Sequence, residues 1–376
     1  MTTRFGFVST FPPTQCGLAT FTAALRGALL HSTTDEGWVV RLVDAPEPRP
    51  GDEVVAQLIA GDSASLRQAA AQLNLCDVAI VQHEYGVYGG ADGSEILHLL
   101  EQVRVPSVVV LHTVLTDPAP HQRQVLESVI AKAGAVVAMT MAARERLAAG
   151  YAVDMTKVCV IAHGAPAMET SMAEPTFRTG QFTVLTWGLL GPGKGIEWGI
   201  EAMAMLRDLQ PMLRYVVAGQ THPKVLLREG NAYRDRLREQ VRQGELGPWI
   251  TFDGYYRNAS ALASLIRSAD VVLLPYDSAE QVTSGVLIEA VAAGKPVVAT
   301  QFPHARELLA RGAGLLVPHR DPAAIAAALR SLVMRRDVMT KMAATATATA
   351  PQLLWPAIAD QYRELAGRLI TNRLAA

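Results

Sequence analysis

The chain reads as an α/β protein built from two doubly wound, Rossmann-like parallel sheets that face each other across a cleft. Three observations carry this expectation. Short β-branched apolar runs alternate with amphipathic stretches from one end to the other, the pattern of βαβ crossovers. One break, Ala162 to Gln181 (AHGAPAMETSMAEPTFRTGQ), is rich in small and polar residues with two prolines, and alternation restarts beyond it. With 376 residues, 50% of them hydrophobic and 18% charged, the chain can bury two cores. The boundaries expected are an N-terminal domain at 1–170, a linker at 171–181, a C-terminal domain at 182–352 and a closing helical segment at 353–376.

The elements follow in order. In the first block, apolar runs too short for helices predict strands at 5–9, 38–43, 78–82, 107–112, 135–139 and 158–161. Helical spacing of apolar residues lies between them at 19–30, 95–101, 121–131 and 141–149. In the second block the strands fall at 182–187, 215–218, 250–252, 271–274 and 297–299, and the helices at 196–209, 225–243, 259–268 and 322–335. Ala343 to Ala350 (AATATATA) reads as a loop or frayed helix, and 355–374 as a final amphipathic helix.

Composition removes several classes of function. A net charge of −1 and a pI near 6.8 argue against a nucleic-acid partner recruited by bulk charge. Cys16, Cys76 and Cys159 are odd in number and far apart, so neither a zinc spacing nor a disulfide framework is expected, and a reducing compartment is. The opening MTTRFGFVST has no basic segment followed by an apolar one. No apolar run approaches the ~20 residues of a membrane helix. A cytoplasmic protein is expected, with membrane association not indicated. The first block holds only two lysines, Lys132 and Lys157, which favours a soluble acceptor over a lipid one. Nothing in the pattern sets an oligomeric state.

The most informative stretch is 270–300, ADVVLLPYDSAEQVTSGVLIEAVAAGKPVVAT. It predicts a strand, a polar loop, a helix capped by Thr283 or Ser284 and stopped at Gly294, and a second strand. Such a loop brings helix N-terminal N–H groups to the carboxyl edge of a parallel sheet, where anions and nucleotides bind. Glu289, inside the helix, should face the same crevice. A second stretch, Thr186 to Gly195 (TWGLLGPGKG), follows a strand and precedes a helix. Gly188, Gly193 and Lys194 nearly spell a Walker A loop, yet Gly195 stands where the magnesium-binding hydroxyl belongs. Phe11 to Thr20 (FPPTQCGLAT) opens the first helix, and Gly17 there would let backbone approach a ligand. Finally Gln82-His83-Glu84-Tyr85-Gly86 and Leu111-His112-Thr113 place polar groups directly after buried strands. A zinc site on His83, Glu84 and His112 lacks a third well-placed ligand. A dehydrogenase lacks its Gly-x-Gly-x-x-Gly.

Glu289-Ala290-Val291-Ala292-Ala293-Gly294-Lys295-Pro296-Val297, with Gly188 to Gly195, resembles the donor-binding signature of family-4 retaining glycosyltransferases, which have the two-domain GT-B fold. Two positions depart: Gln281, beside Glu280, stands where the family has its first glutamate, and Leu189 where it has an arginine. The resemblance implies transfer of a hexosyl group from a nucleotide sugar, of UDP-glucose or GDP-mannose type, to a hydroxyl of a sugar or small glycoside. It implies no cofactor beyond that co-substrate. No metal is expected, and no Asp-x-Asp motif is present to hold one.

In this reading Lys194 and the amides near Thr283, Ser284, Gly285 and Val286 stabilise the leaving diphosphate. Glu289 accepts hydrogen bonds from the ribose, and Gly17 and Gly188 border the donor. By the resemblance His112 contacts the donor sugar, Gln281 or Glu280 holds its hydroxyls, and His83, Glu84 and Tyr85 face the acceptor. The reaction it implies is front-face, with the diphosphate taking the acceptor's proton. The last helix is implied to cross back onto the N-terminal domain. The alternatives are a GT-B epimerase or phosphorylase, and a weakly catalytic or non-catalytic binder of nucleotide sugars.

Overall fold

A computed structural model of the chain describes residues 2–31, 33–167, 181–255, 257–278 and 280–375. The chain divides into two compact units, Met1–Gly164 together with Leu353–Ala376, and Ala165–Gln352. The expected linker, 171–181, lies outside the described residues except for Gln181, which opens a strand.

The first unit holds β1 (Arg4–Ser9), β2 (Glu36–Val43), β3 (Val54–Ile59), β4 (Val78–His83), β5 (Ser107–Leu111), β6 (Ala135–Ala138) and β7 (Val158–Val160). They form one parallel sheet in the order β3-β2-β1-β4-β5-β6-β7. Its helices are α1 (Gly17–Leu30), α2 (Ser63–Leu73), α3 (Ile96–Gln102), α4 (Pro120–Lys132) and α5 (Met141–Gly150). β3 and α2 were not expected from the pattern. β3 is an edge strand, VVAQLI, buried only at alternate residues, so its signal is half that of a central strand. α2 is Ala-rich with only two leucines as large apolar residues, and it starts because Asp62 accepts from the N–H groups of Ala64 and Ser65.

The second unit repeats the plan. β8 (Gln181–Trp187), β9 (Met212–Ala218), β10 (Ile250–Asp253), β11 (Val271–Leu274), β12 (Val297–Thr300) and β13 (Gly314–Val317) form a parallel sheet in the order β10-β9-β8-β11-β12-β13. Its helices are α6 (Ile196–Ala204), α7 (Pro223–Glu229), α8 (Ala232–Gln243), α9 (Ala259–Ser268), α10 (Gly285–Ala292), α11 (Pro303–Leu309), α12 (Pro322–Met334) and α13 (Arg336–Thr349).

One expectation is corrected here: the single helix at 225–243 is two, because Gly230 adopts φ +61° and stops α7. Of the two readings of Ala343 to Ala350, loop or frayed helix, the helix holds: residues through Thr349 complete α13, where the Thr345 and Thr347 hydroxyls donate to the carbonyls of Lys341 and Ala343. The last helix, α14 (Trp355–Ala375), packs in the first unit, where Trp355, Ile358 and Tyr362 join a core with Phe5 and Phe7 of β1 and Phe21 and Leu25 of α1.

In each sheet the strand order runs outward both ways from a central strand, β1 in one and β8 in the other. At such a point the loops leaving the carboxyl ends diverge, and open α/β sheets bind ligands in the gap. The loops at issue are those after β1 and β4, and those after β8 and β11. Among the described residues no helix is long and apolar enough to cross a membrane.

Candidate functional site

The loop after β8 is shaped by glycines. Gly188, Gly193 and Gly195 take φ of +117°, +88° and +63°. Gly188 donates its N–H to Ala218 O, and Leu190 donates to Gln220 O at 2.8 Å, so the turn is tied to the end of β9. A Cβ on Gly195 would lie 1.8 Å from the Pro275 carbonyl oxygen. No side chain fits there, which excludes the Walker hydroxyl on steric grounds. Asp277 N–H donates to Gly193 O at 2.9 Å, joining this loop to the one after β11. The Lys194 ammonium lies over the ring of Tyr276, 4.4 Å from its centroid. Tyr276 is itself buried and stacked on Phe302.

The loop after β11 ends at Ser284, not Thr283, as the helix cap: Ser284 Oγ accepts from Leu287 N–H at 3.2 Å. The Ser284 N–H, expected to face a phosphate, donates instead to Nδ1 of the buried His304 at 2.8 Å. Ser284 is thereby removed from the set of anion-binding amides. The N–H groups of Gly285 and Val286 remain, in the first turn of α10, where no intrahelical acceptor exists. Thr283 Oγ1 is buried with no hydrogen-bond partner among the described residues. Gln281 folds back on its own loop, its Nε2 donating to Thr283 O at 2.7 Å, while Glu280 is exposed. His304 was missed because a Pro-His at a helix start carries no signal of what it will reach 20 residues away.

Glu289 lies on α10 with one carboxylate oxygen, Oε2, accepting from the indole Nε1–H of Trp187 at 3.2 Å. Loss of water around the carboxyl raises its pKa to about 7, against the smaller lowering by that N–H. Gly188 sits next to the same helix: a Cβ on it would touch Val286 Cγ2 at 3.5 Å. Gly188 and Lys194 therefore lie in the loop after β8, and Gly285, Val286 and Glu289 in the adjoining helix α10, at a single sheet edge.

In the first unit, Gly17 opens α1, is exposed, and has nothing within 4 Å of where a Cβ would stand. The preceding loop is held from below by Arg41, 2% exposed, whose guanidinium donates to Phe11 O and Thr14 Oγ1 and pairs with Glu47. Its one signal in the sequence is an arginine inside an apolar strand (WVVRLV). His112 Nε2 lies 2.7 Å from Gln82 Oε1, and its ring meets Phe21 edge-on. Glu84 is half-buried and accepts from Thr113 Oγ1 and Tyr85 N–H.

His83 and Tyr85, expected to face an acceptor, lie inside the unit at 1% and 9% exposure. The reason is that β4 continues one residue further than expected, through His83, whose backbone pairs with Leu111 and whose ring packs edge-on against Tyr85. Among the described residues no group of three or more His, Cys, Asp and Glu is placed to hold a metal ion.

Burial lowers the pKa of three histidines in this unit, His83 and His163 to about 4 and His112 to about 3, the last also feeling the other two. Each stays neutral when folded and takes a proton near its ordinary value when unfolded. Stability should therefore be full above ~6.5, and fall as the pH drops from there toward 4. Equilibrium urea unfolding across that range should show the midpoint of the first unit decline. A midpoint flat from pH 7 to 4.5 would contradict the burial of these rings.

The architecture defines the class first: two doubly wound parallel sheets, each with a loop cluster at its carboxyl edge, as in GT-B proteins. Residues 181–335, most of the second unit, match the family model of group 1 glycosyl transferases. The fold is thus of GT-B type, and the second unit carries a group 1 glycosyl transferase domain. It is 31% identical over 280 residues to the D-inositol 3-phosphate glycosyltransferase of Kineococcus radiotolerans, covering 69% of this chain and 62% of that protein. It is 39% identical over 149 residues to the phosphatidyl-myo-inositol mannosyltransferase of Mycobacterium leprae, covering 39% and 38%. The crystal structure of Anabaena Alr3699/HepE in complex with UDP superposes with a TM-score of 0.76 at 17% identity, over 97% of this chain and all of that one. The matched chain thus spans under two thirds of the length of these curated relatives.

Proposed function

We propose that the protein is a retaining glycosyltransferase that moves a hexosyl group from a nucleotide sugar, of UDP-glucose or GDP-mannose type, to a hydroxyl of a small polyol or glycoside without a metal ion. One observation carries the reading. At the carboxyl edge of the second sheet, one ammonium (Lys194), two helix N–H groups without acceptors among the described residues (Gly285 and Val286) and one carboxylate (Glu289) share adjoining segments. That is the donor set for a diphosphate together with the acceptor for a sugar diol. Breaking the anomeric C–O bond builds negative charge on the leaving diphosphate. A fixed ammonium and preoriented N–H groups stabilise that charge more in the transition state than before it. Lys194 has no carboxylate partner among the described residues, so its charge is available to a ligand.

The relatives named for inositol phosphate and phosphatidylinositol direct the choice of acceptor toward a cyclitol or its phosphate. A thermal-shift series with UDP, GDP, ADP and their sugars identifies the donor, because a ligand bound only to the native state raises the melting point with its occupancy. Turnover is then followed with that donor and myo-inositol or inositol phosphate. No shift by any nucleotide at millimolar concentration would remove the donor site. A shift without release of nucleoside diphosphate would leave a binder rather than a transferase.

A further inference from the structure

Glu289 raises a physical question. A carboxylate stripped of water binds a proton more readily, yet the ionised form is the stronger acceptor of hydrogen bonds from a diol. The one donor to it among the described residues is the indole of Trp187, at the end of β8 and 102 positions away in the chain. Trp187 is 4% exposed, so its Nε1–H is a buried donor that needs a partner. Gly188 turns the chain immediately after it, and the Thr186 hydroxyl before it is spent on Leu273 O and the Tyr215 hydroxyl. The backbone that carries the indole is thus fixed on both sides.

We infer that Trp187 is a positioning residue for nucleotide binding: its indole N–H grips one oxygen of Glu289, holds the carboxylate in place, and leaves the other oxygen to the vicinal hydroxyls of the nucleotide's ribose. The inference rests on the donor-site reading above and adds to it a residue that touches no substrate. Other charges do not do this work. α10 packs against β12, which has no titratable side chain, and against α13, which carries Arg336, Asp337 and Lys341. None of these, nor Lys194 in the neighbouring loop, shifts Glu289; desolvation comes first and the indole second.

The test replaces the donor and keeps the ring, Trp187→Phe, and measures UDP and GDP affinity by calorimetry from pH 5.5 to 9 beside the unmodified protein. Affinity of the unmodified protein should fall as the pH drops through ~7, as Glu289 takes up its proton. In the variant this acid limb should move up by about one pH unit, with affinity several-fold weaker at pH 7 and equal within about twofold at pH 9. An unchanged limb overturns the inference, and so does an equal loss at every pH, which is the mark of packing alone. A separate readout needs neither nucleotide nor the variant's fold. In protein labelled with 15N-tryptophan, the Trp187 indole N–H resonance should titrate near pH 7, and this titration should vanish in Glu289→Gln. An indole signal that does not follow Glu289 refutes the coupling. If the indole titrates but no nucleotide binds, the coupling stands and the donor-site reading fails.

Discussion

Lys194→Ala is expected to lower kcat with the nucleotide-sugar donor about 10²-fold or more, because in the proposed site it removes the ammonium that stabilises the leaving diphosphate. The position of that ammonium is set by two separate devices. The backbone of its loop is tied to Ala218, Gln220 and Asp277, and its charge lies against the face of a buried Tyr276. The backbone ties do not depend on the Lys194 side chain, so the variant should fold. The loss should appear mainly in kcat, since charge on the bridging oxygen grows as the anomeric bond breaks. Arginine at 194 should recover part of it, since the charge returns but the compact ammonium geometry does not. Steady-state kinetics of the well-folded variant decide the matter. A change below threefold in kcat would mean that the diphosphate is held elsewhere.

Gly195→Ala should be the most damaging single change to the second unit. The residue takes φ +63°, which costs a side chain about 1–3 kcal/mol. The added Cβ would also lie 1.8 Å from the Pro275 carbonyl oxygen, a backbone atom at the end of β11 that cannot turn away as a side chain would. Together the two effects should lower unfolding free energy by roughly 3–5 kcal/mol. Differential scanning calorimetry should show that unit melting about 10 °C earlier. Gly17→Ala is the control: a Cβ there meets nothing within 4 Å and the backbone needs no positive φ. Its stability should stay within about 0.5 kcal/mol of the parent, so any lost turnover would report a ligand that approaches Gly17. A Gly195→Ala protein within about 1 kcal/mol of the parent would show that the Pro275 strand end yields.

The contrast between these glycines bears on what was legible beforehand. The departure from a Walker loop at Gly195 was visible as a missing hydroxyl, but the carbonyl that forbids it belongs to Pro275, 80 residues on. The capping choice between Thr283 and Ser284 stayed open in the sequence because both have a suitable oxygen. Packing decided it: the loop delivers Ser284 Oγ to Leu287 N–H, and leaves Thr283 Oγ1 buried and unpaired among the described residues. The edge strand β3 went unseen because it is buried only at alternate residues and so needs fewer apolar residues than a central one.

The order of strands and helices, the division into two blocks, the glycine-shaped loop before α6 and the strand–loop–helix–strand of 270–300 were determined by the chain alone. Each is written in periodicity, caps and turn residues within about a dozen neighbours, which act before any distant contact forms. Tertiary structure decided the partners: Ser284 N–H with His304, Glu289 with Trp187, Arg41 beneath the Phe11–Thr14 turn, and the burial of His83 and Tyr85. These pairs come together only when sheets and helices pack. A buried donor or acceptor then takes whichever complementary group the fold brings within about 3 Å, and local spacing carries no trace of that choice.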